Sequence, residues 1–345
     1  VAFIRSTLKT TALKSQTVSF QLSFSLTSLS LLLSVMMLFQ SFTSFDSSMP
    51  STSKAPPPLG SEWDRLTPPF VTMFTLMTAV YTVAVWSIDH YQLHHHQQQG
   101  GSGSASNLFV PAPEYCIGQD MDSCSRSDLL AFKLVCVISF LVMGGLAFYS
   151  WHVKGLHLTA VPQTPAGRCF GYIPEAEFIS LACFTFQVWI FVASLAIPEH
   201  RTVIMITHHI LAASVGFSAL HCQYMVWYGF FFFGLSEVSS IFLVFLGLAK
   251  FFPPSPGSFF SAIVGLCGPL FAATFLFYRC FMWWEMTYMF FKDCVFIIRS
   301  GEAEKLRPKK TWVLYVLMGS NIPLGLLQLY WAFLILAELQ KLVLG

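Results

Sequence analysis

Residues 203–248 read VIMITHHILAASVGFSALHCQYMVWYGFFFFGLSEVSSIFLVFLGL. Two apolar runs, each about 20 residues long, flank a short polar turn at Cys222–Gln223. A run of that length is what an α-helix needs to cross the roughly 30 Å hydrocarbon core of a bilayer. A connection this short makes the two helices antiparallel neighbours. Each helix carries ionisable groups at mid-run: His208 and His209 on the first, Glu237 on the second. The His pair lies about 14 residues before the turn and Glu237 about 14 residues after it. At 1.5 Å rise per residue, all three sit about 21 Å from the turn, at one depth in the membrane.

The rest of the chain has the same character. Hydrophobic residues make up 55% and charged residues 10% of the 345, against about 25% charged in soluble domains, and mean hydropathy is +0.63. Buried in lipid, a backbone must satisfy its own hydrogen bonds, as a helix or a closed barrel. The runs are continuous and too long for barrel strands of about 10 alternating residues. The expected fold is therefore an all-α, polytopic bundle of about seven transmembrane helices. The first covers 68–88. The others fall near Leu129–Trp151, Glu177–Ile197, Thr202–His221, Met225–Leu248, Ser258–Tyr278 and Thr311–Leu339. The aromatic segment 279–298 reads either as interfacial or as an extension of the sixth.

Outside these spans, residues 1–67 form an amino-terminal extension. Arg5, Lys9 and Lys14 precede a Ser- and Leu-rich stretch, and no acid occurs before Asp46. That pattern resembles a signal or transit segment; a further membrane helix and untranslated sequence read as protein are the alternatives. Residues 50–67 read as a Pro/Ser-rich linker. Residues 89–127 form a low-complexity loop, with His94–His96, Gln97–Gln99 and a Gly/Ser run, expected to be disordered. Cys116 and Cys124 stand eight residues apart in its polar end and could pair in a lumenal loop. Lys and Arg concentrate in the loop before the last span and, less, between the second and third spans. With seven spans these fall on one face, which the positive-inside rule makes cytosolic.

Several function classes are excluded. The net charge of +2 and the lack of a basic stripe give no footprint for nucleic acid. No C-x-x-C pair suggests a zinc or redox motif. His152 with His157, and His90 with His94–His96, are weak boxes for a membrane di-iron centre, and no His-x-x-His-His occurs. No metal site and no resident cofactor are expected.

An ionisable residue at mid-bilayer costs roughly 2.5–3.5 kcal/mol on insertion scales, which makes it a functional candidate. His208, His209 and Glu237 are the candidate catalytic residues. A carboxylate beside an imidazole fixes its tautomer and raises its basicity, the base-and-orienter arrangement of acyl-transfer sites. The competing reading is a structural hydrogen bond between helices.

Around these residues the sequence resembles the TLC-domain family, which includes ceramide synthases and TLC-domain-containing lipid regulators. The resemblance covers about 128–345. It rests on His208–His209 followed by Ser214 and Gly216, on Glu237-Val238-Ser239-Ser240-Ile241-Phe242, on Phe275-Leu276-Phe277-Tyr278-Arg279, and on Leu326-Leu327-Gln328-Leu329-Tyr330-Trp331. The resemblance implies six helices enclosing a cavity, the first span packed outside, and a role in membrane lipid metabolism or homeostasis. It also implies that Ser236, Ser239, Arg279, Gln328 and Trp331 bind lipid or an acyl chain. The alternative it implies is sphingoid-base N-acyl transfer with acyl-CoA as co-substrate. Ceramide synthases carry a His-Asp-x-x-Asp motif where this chain has Ser236-Glu237-Val238-Ser239-Ser240, which favours the lipid-regulator branch. Membrane lipids are the expected partners, with acyl-CoA in the enzymatic alternative; a homo-oligomer fits either. The endoplasmic reticulum or another internal membrane is the expected compartment, with the plasma membrane as alternative.

Overall fold

The computed structural model describes residues 62–98, 111–116, 124 and 126–344. The expected signal or transit segment, the Pro/Ser linker up to residue 61 and the Gly/Ser run lie outside the described residues. Among the described residues there is no strand, and seven helices are long and apolar enough to cross a membrane. The long helices are α1 (Glu62–Gln98), α2 (Ser127–Val153), α3 (Pro174–Ala196), α4 (Val203–Cys222), α5 (Val226–Phe251), α6 (Phe259–Arg299) and α7 (Trp312–Leu344). This is the all-α polytopic architecture expected from run length.

One boundary differs from expectation. α1 begins at Glu62 and continues through Asp89–Gln98, where the low-complexity loop was expected. The His and Gln run contains no glycine or proline, and nothing in its backbone opposes a helix until Gly100–Gly101. Its amino-terminal end is tied to α3 by Arg65, whose guanidinium donates both terminal nitrogens to Glu177. α1 leans on α2 and α3 from outside: Leu66 packs with Leu181 and Leu220, and Tyr81 lies edge-on to Trp189. At α6 the structure decides between the two alternatives for segment 279–298. Segment 279–298 continues the sixth span, making a helix of 41 residues, about 61 Å at 1.5 Å per residue. It therefore runs well past the hydrocarbon core.

Helices α2 and α5 approach closely because each offers a glycine. A Cβ on Gly144 would stand 3.1 Å from the Val238 backbone nitrogen, and one on Gly234 would collide with the Ala147 methyl. Small residues of this kind let membrane helices pack backbone to backbone. The contact presses on α5 where it departs from regular geometry, at the π turn Phe230–Gly234 and the 3-10 turn Leu235–Glu237.

The connections separate onto two ends. At one end Ala112 N donates to Phe251 O (2.8 Å), Arg126 pairs with Glu199, and a disulfide joins Cys116 to Cys124. The pairing that the cysteine spacing allowed is thus present. At the other end Met225 N donates to Cys169 O (2.9 Å), and Arg307 donates to Cys222 O and Gln223 Oε1 (3.2 and 3.0 Å). Arg168 there forms a two-pronged pair with Asp293 (2.6 and 2.8 Å). Gln223 and Met225 take φ of 48° and 52°, the left-handed conformations that reverse the chain between α4 and α5.

The disulfide end carries two groups whose protonation opposes the fold. His200 stacks on Phe132 (4.4 Å) and lies edge-on to Phe251 (5.9 Å). Burial pushes its imidazole down to about 3, and the Arg126 guanidinium holds the Glu199 carboxyl below its ordinary range. Both groups bind fewer protons folded than unfolded. The contribution of neutral His200 is complete above an ordinary histidine pKa of about 6.5 and is lost as pH falls toward 3. Melting temperature in detergent is expected to fall between pH 7 and pH 4. His200→Phe, which keeps the ring contacts, is expected to shrink that fall. An unchanged pH profile in this variant would contradict the assignment.

Candidate functional site

His208 and His209 are consecutive on α4 and so point about 100° apart. His209 is turned toward α3 and is 4% exposed; its Nδ1 lies 2.7 Å from Gln187 Oε1. Gln187 Oε1 only accepts, so His209 Nδ1 carries the proton and Nε2 keeps the lone pair. His208 faces the middle of the bundle. It meets the His209 ring and the Trp331 ring of α7 edge-on, each at 5.4 Å. Among the described residues its buried Nδ1 has no hydrogen-bond partner.

Glu237 sits on the irregular part of α5 and finds its partner on α6. The π segment Phe275–Met282 carries Arg279 inward; such segments often mark functional sites. Arg279 donates from one terminal nitrogen to Glu237 Oε2 and Ser240 Oγ, both at 2.8 Å. Its Nε serves Ser236 O (2.7 Å) and Ser239 Oγ (3.0 Å), and its other terminal nitrogen turns to Gln328 Oε1 on α7 (3.4 Å). Ser240 closes the ring by donating to Glu237 Oε2 (2.7 Å). One guanidinium thus ties α5, α6 and α7 together.

These groups surround one cavity. Its wall includes His208, Glu237, Ser236, Arg279, Gln328 and Trp283. The space open to the centres of water-sized molecules is about 40 Å³, where one water needs about 10–15 Å³. The shared depth of the histidines and Glu237 is therefore observed, as is a common cavity for His208 and Glu237.

Their pairing differs from expectation. Among the described residues no hydrogen bond joins either imidazole to Glu237. The carboxylate is balanced by the Arg279 guanidinium, which reaches it across the bundle from α6, and His209 is oriented by an amide instead. His209 also stands behind the cavity wall. Of the other sequence candidates, Ser236, Arg279 and Gln328 line the cavity. Ser239 braces Arg279 from behind, and Trp331 leans on His208.

Gln187, Trp283 and Asn321 were missed. Gln187 and Asn321 are polar groups within apolar runs, the signal that picked out Glu237. Asn321 Oδ1 accepts from Thr287 Oγ1 at 2.8 Å. Trp283 is indistinguishable in sequence from any interfacial tryptophan. Of the weak histidine boxes, His152 and His157 serve as packing: His152 Nε2 lies 3.1 Å from the Tyr278 hydroxyl, and His157 stacks on Trp151 at 4.0 Å; the side chains of His94–His96 lie outside the described residues. Among the described residues no three His, Cys, Asp or Glu side chains gather as metal ligands.

Seven helices long and apolar enough to cross a bilayer make this an integral, multi-pass membrane protein. The TLC domain family model matches residues 131–337, more than half of the chain's 345, and the chain belongs to the TLC-domain family. Neither a curated protein nor a solved structure matches it.

The His209–Gln187 contact yields a direct test. Gln187→Leu leaves the His209 N–H buried and unpaired, a loss of about 1–3 kcal/mol. The melting temperature in detergent should drop. Adding His209→Leu should recover part of the loss, because two apolar partners leave no unpaired group. An unaltered melt for Gln187→Leu would show that the bond carries no stability.

Proposed function

We propose that the protein binds the polar end of a membrane lipid in the cavity between α4, α5, α6 and α7, and acts in membrane lipid metabolism or homeostasis. The observation that carries this reading is the cavity wall itself. His208, Glu237, Arg279 and Gln328 face one another at mid-span, where each would be costly without a polar occupant or partner. Ser236, Arg279 and Gln328 form the wall that meets the lipid; Ser239 and Trp331 hold Arg279 and His208 in place. At about 40 Å³, well under the 300–1,000 Å³ of whole-ligand pockets, the space suits a headgroup rather than an entire acyl chain.

A second reading, acyl transfer from acyl-CoA to a sphingoid base, is favoured by the histidine geometry. The acceptor nitrogen would attack the thioester carbonyl, the C–S bond would break, and a histidine would pass the amine proton to the departing thiolate. His208 is the base that faces the cavity; His209, fixed by Gln187, buttresses it. Glu237 contributes through Arg279, setting the charge of the cavity rather than touching the imidazole.

The two ends of the bundle support an orientation in the membrane. Lys154, Arg168, Lys305, Arg307, Lys309 and Lys310 lie on the end opposite the Cys116–Cys124 disulfide. Basic loops favour the cytosol and disulfides favour an oxidising lumen. Both support a disulfide end on the non-cytosolic side, which fits the endoplasmic reticulum or another internal membrane, with the plasma membrane as the alternative.

Lipid retained by the purified full chain is the test. Mass spectrometry of wild-type protein should show one lipid class enriched over the bulk membrane. Ala212→Phe, which fills the cavity from α4, should abolish the enrichment while leaving the melt intact. Equal lipid profiles for the two proteins would contradict the cavity reading. Incubation with sphingoid base and acyl-CoA separates the readings: amide product from wild type, absent in His208→Ala, supports the transferase; no product at any acyl length supports the binder.

A further inference from the structure

Away from the cavity, at the disulfide end, two cations stand together without an anion. Lys133 of α2 lies six residues past Ser127, about 9 Å inside the helix end. Helical side chains lean toward the amino terminus of their helix, so its stem runs back toward that end. Its Nζ lies 5.6 Å from the Phe132 ring centre and 5.3 Å from that of Phe251, the last residue of α5. Gly247 of α5 leaves the room that the amine occupies, since a Cβ there would stand 3.1 Å from Nζ. Lys133 is half-buried rather than sealed. Lys250, exposed and one turn beyond Gly247, acts on it electrostatically. Among the described residues neither ammonium has a hydrogen-bond or ion-pair partner. The carboxylates of this end, Asp128 and Glu199, are held by Arg126.

We infer that Lys133 and Lys250 bind the phosphate of an anionic phospholipid in the leaflet at the disulfide end. Two ammonium groups side by side repel, and a contact with ring faces leaves their N–H donors unmet. A phosphate between them supplies negative charge and several acceptor oxygens at once. The depth fits. Phe251 ends α5, so the amine beside it has reached the level at which a span gives way to headgroups.

The surface beneath the two lysines fits an acyl chain. Val137 and Leu141 follow Lys133 at i+4 and i+8 on α2, and Leu243 precedes Gly247 by four residues on α5, so each set shares a helix face. Leu141 and Leu243 are exposed. A free phosphate would use the two cations but not this apolar strip. None of these residues lines the cavity between α4, α5, α6 and α7, so the site does not depend on what that cavity holds.

The test uses the delipidated full chain in detergent and native mass spectrometry. The probes are phosphatidylglycerol and phosphatidylcholine with identical acyl chains, with inorganic phosphate as competitor. Wild type should hold phosphatidylglycerol roughly twentyfold more tightly than phosphatidylcholine, about fivefold from each lysine. Lys133→Met keeps an apolar stem on the rings and removes the charge. It should cut the preference about fivefold, as should Lys250→Gln, an exposed change that leaves the packing alone. Lys305→Gln at the opposite end should leave the preference as it is. Equal binding of the two lipids by wild type would overturn the inference, as would a preference that survives both Lys133→Met and Lys250→Gln. An equal loss in Lys305→Gln would also overturn it, showing general attraction to a basic chain. Displacement of phosphatidylglycerol by an equal concentration of inorganic phosphate would do so too, because the site would then take the free anion. So would a preference that appears only once Asp120→Asn and Asp122→Asn are introduced together, for the chain's own acids would then fill the site.

Discussion

A guanidinium and a carboxylate face each other inside the bilayer, and the core of the bundle is arranged around that pair. Arg279 and Glu237 are 7% and 8% exposed. Neither could remain there charged alone, because insertion of a single such group costs roughly 2.5–3.5 kcal/mol. Pairing offsets the cost only when the leftover donors and lone pairs are also met. Ser236, Ser239, Ser240 and Gln328 meet them here. Satisfying that set requires α5 to unwind into π and 3-10 turns and α6 to swell into a π segment. It also requires α2 to press close enough, through Gly144 and Gly234, to hold α5 in that shape. The cavity is the space left beside the pair, between the irregular helices and His208.

How much of this was readable in the sequence depends on range. The spans were, because bilayer thickness imposes a length on every apolar run. The common depth of His208, His209 and Glu237 was, because both helices count from the same turn. The partner of Glu237 was not. Arg279 lies 42 residues on, and which helix it faces depends on packing angles that no local period encodes. Gln187 shows the opposite failure: a mid-span amide in an apolar helix, carrying the same signal as Glu237, whose importance emerges only beside His209. The extent of α1 was misjudged because low complexity was read as disorder, although a His/Gln run without glycine opposes no helix.

The missing His-Asp-x-x-Asp motif acquires a physical meaning from this geometry. In this chain the one acid of that stretch is consumed by Arg279, and serines fill the positions around it as ligands of the guanidinium. The motif stretch therefore builds a neutral, hydrogen-bonded wall rather than a free carboxylate beside a base. Beside that wall stands His208, with Trp331 at its edge.

If the pair organises the bundle, its two members must act as one unit. The decisive measurement is a double-mutant cycle of thermal stability in detergent with Arg279→Met, Glu237→Leu and both together. Each single change strands a buried charge, so each should lower the melting temperature more than the double change does. Strictly additive losses would contradict the account, for they would mean that the two residues contribute independently and that the cavity owes its shape to packing alone.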